Sequence, residues 1–367
     1  MKKTLVALAA LASVSAFAQS TVTFSGTLDG SVYNLRGLTA GKSATVYGDG
    51  AVSSSVWGFS GAEDLGNGQK AVFTAVGDLV TNSGGTNASG VFRRAANVGL
   101  NDAKFGEVRF GITTNPIIAT NSALMPVAGN SVSTVTAAAL GFADFFTKNA
   151  VTYTSPAVYG LTAQLQKGLS NDTADATNGD VNAYSLAYVN GPLEARYAHQ
   201  DRRAATSGIG QTAPNGGAAA TYDRKSTVYG VKYAINTQFT VALARQDSTG
   251  QQASYDYNGV TKNTANSVMN RRANQAGLGY TQGAWTLGAN VTKAGESKLN
   301  NYQARYALSK RTSVVGQYAV AANDDANVGF MPVGFNTGTS PSTILGVTGP
   351  TKGEKITAFG VGIVHSF

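Results

Sequence analysis

The C-terminal stretch of this chain alternates strictly. Phe359, Val361, Ile363, His365 and Phe367 fall on one parity, and Gly360, Gly362, Val364 and Ser366 fall on the other. Successive side chains of a β-strand point to opposite faces, so one face of this strand is greasy and the other small or polar. An aromatic residue at the final position is read as one sealed into a closed sheet, with lipid outside and water inside.

The same period recurs along the chain. In 21–33, Val22, Phe24, Leu28 and Val32 oppose Thr23, Ser25, Thr27, Asp29 and Ser31. In 193–202, Leu193, Ala195 and Tyr197 oppose Glu194, Arg196 and Gln200. Comparable stretches at 183–189, 226–234, 284–292 and 299–308, with weaker ones near 52–61, 70–80, 91–100, 106–113, 148–154, 160–170, 238–248, 271–281, 311–322 and 355–367, predict sixteen strands. Short turns such as Glu63 to Gly68, Asn101 to Lys104 and Gln282-Gly283 alternate with longer connections near 34–51, 81–90, 114–147, 171–182, 203–223, 249–270, 293–298 and 323–354. An even strand count with alternating short and long connections predicts an all-β, sixteen-stranded antiparallel transmembrane barrel. A soluble β-sandwich or a β-helix shares the alternation. Neither accounts for aromatic residues concentrated on the apolar parity, and a sandwich would repeat in units of about 100 residues.

Composition agrees. Charged residues make up 13% of the chain, with 44 glycines, 16 tyrosines, 15 phenylalanines and no cysteine. That is roughly half the charge of a soluble globular domain. Disulfides and thiolate metal sites are excluded. Mean hydropathy is −0.08, which a barrel tolerates because half of each strand faces water.

Lys2 and Lys3, the apolar run Thr4 to Val14 and the small-x-small site Ala16-Phe17-Ala18 read as a signal peptide over 1–18. The barrel then occupies 19–367, with Gln19 first. Beyond that run no apolar stretch reaches the roughly 18 residues a spanning helix needs.

Several motifs resemble those of the Gram-negative general porins, in matching order along the chain and closest to the β-proteobacterial type. Trp57-Gly58-Phe59-Ser60-Gly61-Ala62-Glu63-Asp64-Leu65-Gly66-Asn67-Gly68 is similar to the family's W-G-x-x-G-x-E-D-L-G-x-G. Phe92-Arg93-Arg94-Ala95-Ala96-Asn97-Val98-Gly99-Leu100 resembles F-x-R-x-A-x-V-G-L, and Asn149 to Pro156 resembles N-x-V-x-Y-x-S-P. The ending Gly362 to Phe367 resembles the family's closing strand. The resemblance implies a water-filled outer-membrane barrel, usually a homotrimer, with a third loop folded inward to narrow the channel. It implies small hydrophilic solutes and ions as cargo, lipid and lipopolysaccharide as surroundings, and barrel-assembly machinery that reads Phe367.

Charge then bears on selectivity. Without Lys2 and Lys3 the balance is 26 − 20 = +6. Arg109, Arg196, Lys232 and Arg305 share the polar parity of their strands. Arg94 is chosen by the resemblance alone, since it shares parity with Phe92 and Val98; if it faces the lumen, parity turns Arg93 and Asn97 outward. The candidate third loop, 114–147, is uncharged from Thr114 to Ala143; Asp144 and then Lys148 follow it. A lumen lined by one sign of charge concentrates its counter-ions. The expectation is a weakly to moderately anion-selective channel with Arg94 and Lys148 nearest the narrow part. Three positions where the family often has a basic residue hold Val56, Ser60 and Ile112, so the cluster is thinner than the resemblance implies. A channel with a saturable solute site and a non-conducting adhesive barrel remain as other readings.

Catalysis finds no pattern. His199 and His365 lie far apart, and neither a Gly-x-Ser-x-Gly elbow nor a His-Glu-x-x-His helix is present. Gly41-Lys42-Ser43 lacks the earlier glycine of a phosphate loop, its position being Arg36. Nothing in the sequence calls for a cofactor, a metal or nucleic acid.

Overall fold

The computed structural model describes residues 21–38, 41–86, 90–127, 145–170, 180–203, 224–252, 267–324, 330 and 352–367. The proposed signal peptide and Asp144 lie outside them. The strands are β1 (Thr21–Leu38), β2 (Lys42–Asp49), β3 (Val56–Gly66), β4 (Gln69–Asp78), β5 (Ala95–Asp102), β6 (Gly106–Thr114), β7 (Phe146–Thr154), β8 (Leu161–Gly168) and β9 (Val181–Asn190). They continue with β10 (Leu193–Arg202), β11 (Arg224–Ala234), β12 (Phe239–Gln252), β13 (Ser267–Gln282), β14 (Trp285–Ala294), β15 (Ser297–Ala307), β16 (Thr312–Asn323) and β17 (Glu354–Ser366). Among the described residues one α-helix, α1 (Pro116–Ala123), follows β6.

Every pairing is antiparallel. β2 pairs the upper half of β1 and β3 its lower half, so these two segments share one lane. β17 pairs back onto β1 from Thr27↔Ser366 to Arg36↔Thr357, which closes the ring. The seventeen segments therefore form a sixteen-stranded barrel, as the alternation predicts, in which every described lane has a paired neighbour on both sides.

The seam explains the terminal residue. The Gly26 N–H donates to the Phe367 carbonyl at 3.1 Å, and the Phe367 N–H returns the bond at 3.0 Å. The Phe367 ring lies 5.6 Å from that of Phe24. It also covers Gly26, where an added Cβ would stand 2.5 Å from the ring. A larger residue at 26 would evict the aromatic cap.

The burial pattern is inverted relative to a soluble protein. Val22, Phe24, Val98, Leu100, Phe110, Leu165, Leu243 and Val361 are exposed, whereas Gln200, Gln246, Asn301 and Gln317 are buried. Aromatic residues gather near the short turns, with Phe239–Tyr280 and Trp285–Tyr306 each 4.8 Å apart. Such girdles mark a membrane interface. Trp57 instead joins Phe24, Phe59 and Phe92 on the outer wall.

Several boundaries differ from the sequence expectation. β3 spans Val56–Gly66, and β12 and β13 extend into 249–270. The connection at 34–51 holds the end of β1 and all of β2. The connection at 293–298 is a tight turn at Gly295-Glu296, with β14 and β15 running up to it. Both pairs of strands reach their long-loop ends here, where outward positions such as Arg36, Lys293 and Lys298 are polar. With no lipid to face, they lose the apolar alternation. A further difference is that β5 begins at Ala95, so Arg93 and Arg94 precede the strand. The Glu63 to Gly68 turn is shorter than expected, since β3 runs to Gly66 and only Asn67 and Gly68 separate it from β4. Gly66, Asn67 and Gly68 all take positive φ, and the Asp64 carboxylate accepts the Gly66 N–H at 2.8 Å.

Candidate functional site: the channel wall

Inward positions of the strands meet two chain segments that leave the wall. The first is 50–55, between β2 and β3. It is held by two carboxylates, Asp29 on β1 and Asp49 at the end of β2, which are 0% and 1% exposed. Asp29 Oδ2 accepts the Val52 and Ser53 N–H groups at 2.7 and 2.9 Å. Asp49 Oδ1 accepts the Ser55 N–H at 3.1 Å, and its Oδ2 accepts the Thr81 hydroxyl at 2.9 Å. Ser55 joins the two, because its hydroxyl accepts the Asp29 N–H at 2.8 Å. Ala51 and Val52 pack with Val315, Ile356 and Ala358, and the Gln303 amide reaches the Ala51 carbonyl at 3.2 Å.

The second segment is 115–127. Asn115 caps α1 by accepting the Ile117 N–H at 2.9 Å, and Pro116 occupies the first helical position. The Asn115 amide also donates to Thr147 at 3.1 Å, tying the cap to β7. Ile117 is buried with Ala198 of β10 and Val228 of β11. The Asn121 amide donates to Gln246 of β12 at 2.9 Å, and Lys232 Nζ donates to the Ala123 carbonyl at 2.6 Å. A cation there also complements the C-terminal end of the helix. Leu124, Pro126 and Val127 then run over glycines. Added Cβ atoms would stand 2.9 Å from Leu124 at Gly230, 2.7 Å from Pro126 at Gly277, and 2.8 Å from Pro126 and Val127 at Gly279. Glycine is required here for close approach of the segment to the wall.

The predicted basic residues are distributed as follows. Arg109 faces inward and donates to both oxygens of Glu107, at 2.5 and 3.1 Å, and to Thr74 and Asn97, at 3.0 and 2.8 Å. Asn97 is therefore inward, contrary to the expectation. That expectation took its parity from Arg94, which lies before the strand begins. Arg94 and Arg93 instead share one carboxylate, Asp78, each through Nε. Their guanidinium carbons stand 5.3 and 5.5 Å from the Phe146 ring. Burial pulls the Arg93 guanidinium below its ordinary value, and the Asp78 carboxylate opposes that shift. A guanidinium so placed stays charged.

Arg196 and Lys232 meet at Glu194, one on each oxygen, with Lys232 at 2.6 Å. Lys232 therefore anchors α1 as well as lining the wall. Arg305 keeps inward parity on β15 and, like Lys148, has no ion pair among the described residues. Lys148 sits beside Asn149, whose φ is 49°, where β6 and β7 shift register. The bulge removes any parity argument about its direction. The basic residues thus form separate groups along the wall. The sequence reading missed their acidic partners Asp78, Glu107 and Glu194. Spacing could have found two of them: Glu107/Arg109 and Glu194/Arg196 are two residues apart, hence on one face.

Comparison with known proteins places this architecture. A family model described as Gram-negative porin matches residues 4–326. Outer membrane porin protein 32 of Delftia acidovorans is 31% identical over 393 residues, covering 100% of both chains. An outer membrane porin protein of Bordetella pertussis is 27% identical over 413 residues, again covering 100% of each. Among solved structures, the anion-selective porin from Comamonas acidovorans superposes with a TM-score of 0.75 at 24% identity, covering 95% of this chain and 100% of that one. The trimer form of OmpT from Vibrio cholerae gives 0.64 at 16% identity, covering 95% and 99%.

Proposed function

Because this chain belongs to the Gram-negative porin family, we propose that it forms a water-filled outer-membrane channel for passive diffusion of small hydrophilic solutes, with anions favoured over cations. The observation that carries the reading is the inverted burial: large apolar side chains outside, glutamine, asparagine and serine inside. Only a bilayer makes such a surface stable.

The sign of selectivity has independent support. The balance of +6 after removal of 1–18 is positive. The three paired groups hold five cations on three carboxylates, and Arg305 and Lys148, with no acidic partner among the described residues, bring the cations to seven against five carboxylates once Asp29 and Asp49 are counted. The Comamonas acidovorans relative carries anion selectivity in its description. Narrowing comes from 115–127, with Arg94, Arg109, Arg196 and Lys232 as lumen residues. The homotrimer is supported by the trimer form of OmpT, an outer membrane protein of Vibrio cholerae. Export on the 1–18 signal, recognition of Phe367 during assembly and contact with lipopolysaccharide complete the reading, in which the chain carries no enzymatic activity.

Purified protein in a planar bilayer under a KCl gradient tests it. The expected reversal potential has the sign set by chloride; a potassium-signed value overturns the anion preference, and the absence of conductance overturns the channel. The native mass of the same sample in detergent decides the trimer.

A further inference from the structure

The three ion-pair groups that hold Arg93 and Arg94, Arg109, and Arg196 with Lys232 are not equivalent. Glu107 meets one arginine, and Glu194 meets one arginine and one lysine; their side chains are 25% and 15% exposed. Asp78 meets two arginines, and its side chain is 0% exposed. It closes the long-loop end of β4 on the inward parity, in phase with Thr74, which touches Arg109. The opposite, outward side of the preceding residue is covered by chain, since a Cβ on Gly77 would stand 1.9 Å from the Val91 carbonyl.

We infer that Asp78 sets the strength of the anion preference. It rests on the channel reading above and adds a residue that carries no positive charge. Arg93 and Arg94 are adjacent in sequence and repel one another. Asp78 takes one on each oxygen and holds both against Phe146, the first residue of β7 after the uncharged loop. The site therefore presents one net positive charge where two arginines would present two. Because Asp78 is fully buried, mobile ions cannot screen it separately from its arginines. Neutralising the carboxylate releases both guanidiniums to the water of the lumen with full charge.

The test is the chloride-to-potassium permeability ratio of purified variants at low ionic strength. Asp78→Asn is expected to raise the ratio about two- to fivefold, the effect of one charge roughly 8 Å from a permeating ion in water, and the gain is expected to fade as salt shortens the screening length. The double variant Asp78→Asn/Arg93→Gln restores the net charge and is expected to return near the starting ratio. Arg93→Gln/Arg94→Gln leaves Asp78 alone, takes the site from +1 to −1, and is expected to lower the ratio by the square of the Asp78→Asn factor, about four- to twenty-five-fold. It keeps the inference testable where Asp78→Asn fails to fold, which the heat-dependent gel shift of a folded barrel reports. An unchanged or reduced ratio in a conducting Asp78→Asn channel, or an unchanged ratio in the double arginine variant, overturns the inference. Loss of conductance in the unmodified protein overturns the channel reading instead.

Discussion

The two segments that enter the barrel are held in opposite ways. Residues 50–55 are gripped by charge: Asp29 and Asp49 are fully buried and their oxygens collect backbone N–H groups. Residues 115–127 are held by shape: Ile117 against Ala198 and Val228, an amide-to-amide bond from Asn121 to Gln246, and a track of glycines under Leu124 to Val127. The difference follows from what each segment offers the wall. The bridge between β2 and β3 is too short to satisfy its own backbone, so buried acceptors must do it. The segment after β6 forms a helix, which satisfies most of its own groups and presents side chains. Carboxylate anchoring is strong but concentrated in few atoms, whereas shape anchoring is spread over many.

Asp29→Ala should therefore have the largest effect. It removes two bonds to backbone N–H groups, leaving the Val52 donor buried and the Ser53 donor partly buried. Charge-assisted bonds contribute about 1.5–3 kcal/mol each, so a loss of about 3–5 kcal/mol is expected. Urea unfolding of the barrel in lipid measures it. A loss below about 1 kcal/mol would mean that apolar packing of Ala51 and Val52 holds the bridge, and the contrast between the segments would fail.

Sequence and structure diverge along the same physical line. Wherever lipid touches the wall, as at Val22, Phe24, Leu186 or Tyr229, the alternation is legible because one face must be apolar. Where the barrel rises beyond the lipid, as in β2, the rule lapses and the strand reads as a loop. The Glu107/Arg109 pair, though missed, could have been found from its two-residue spacing. The Asp78 clamp could not, because Arg93 and Arg94 lie outside any strand and their partner closes a different one. Nor was the glycine track legible: with 44 glycines in the chain, only the docking of Pro126 and Val127 distinguishes Gly277 and Gly279 from the rest. Lys232 reads as a lumen cation, and only the β10–β11 register and the position of α1 make it an anchor.

Shape anchoring predicts an effect from added volume. A valine at Gly279 puts its Cβ 2.8 Å from both Pro126 and Val127. Overpacking of this kind costs about 1–3 kcal/mol. Gly279→Val should push the segment toward the lumen and lower single-channel conductance. Gly316→Val is the control, since its nearest neighbour to an added Cβ is 4.0 Å away, and it should leave conductance unchanged. Equal behaviour of the two variants would show that the glycine track does not seat the segment.

The smallest effect is expected where the two modes meet. Lys232 is the one charged contact described between the wall and α1, bonded to the Ala123 carbonyl and to Glu194 at 2.6 Å each. Its side chain is 26% exposed, so water supplies part of what it donates. Lys232→Met keeps the aliphatic stem and removes both bonds. Glu194 retains Arg196, and the Ala123 carbonyl lies at a helix end where water can replace the donor. The expected cost is about 1 kcal/mol, read as a small fall in the urea midpoint. If α1 is held mainly by shape, the conductance of Lys232→Met stays at the unmodified level while its anion preference drops slightly with the lost charge. A conductance change as large as that of Gly279→Val would instead make Lys232 the counterpart of Asp29, and both inward segments would then depend on charged contacts.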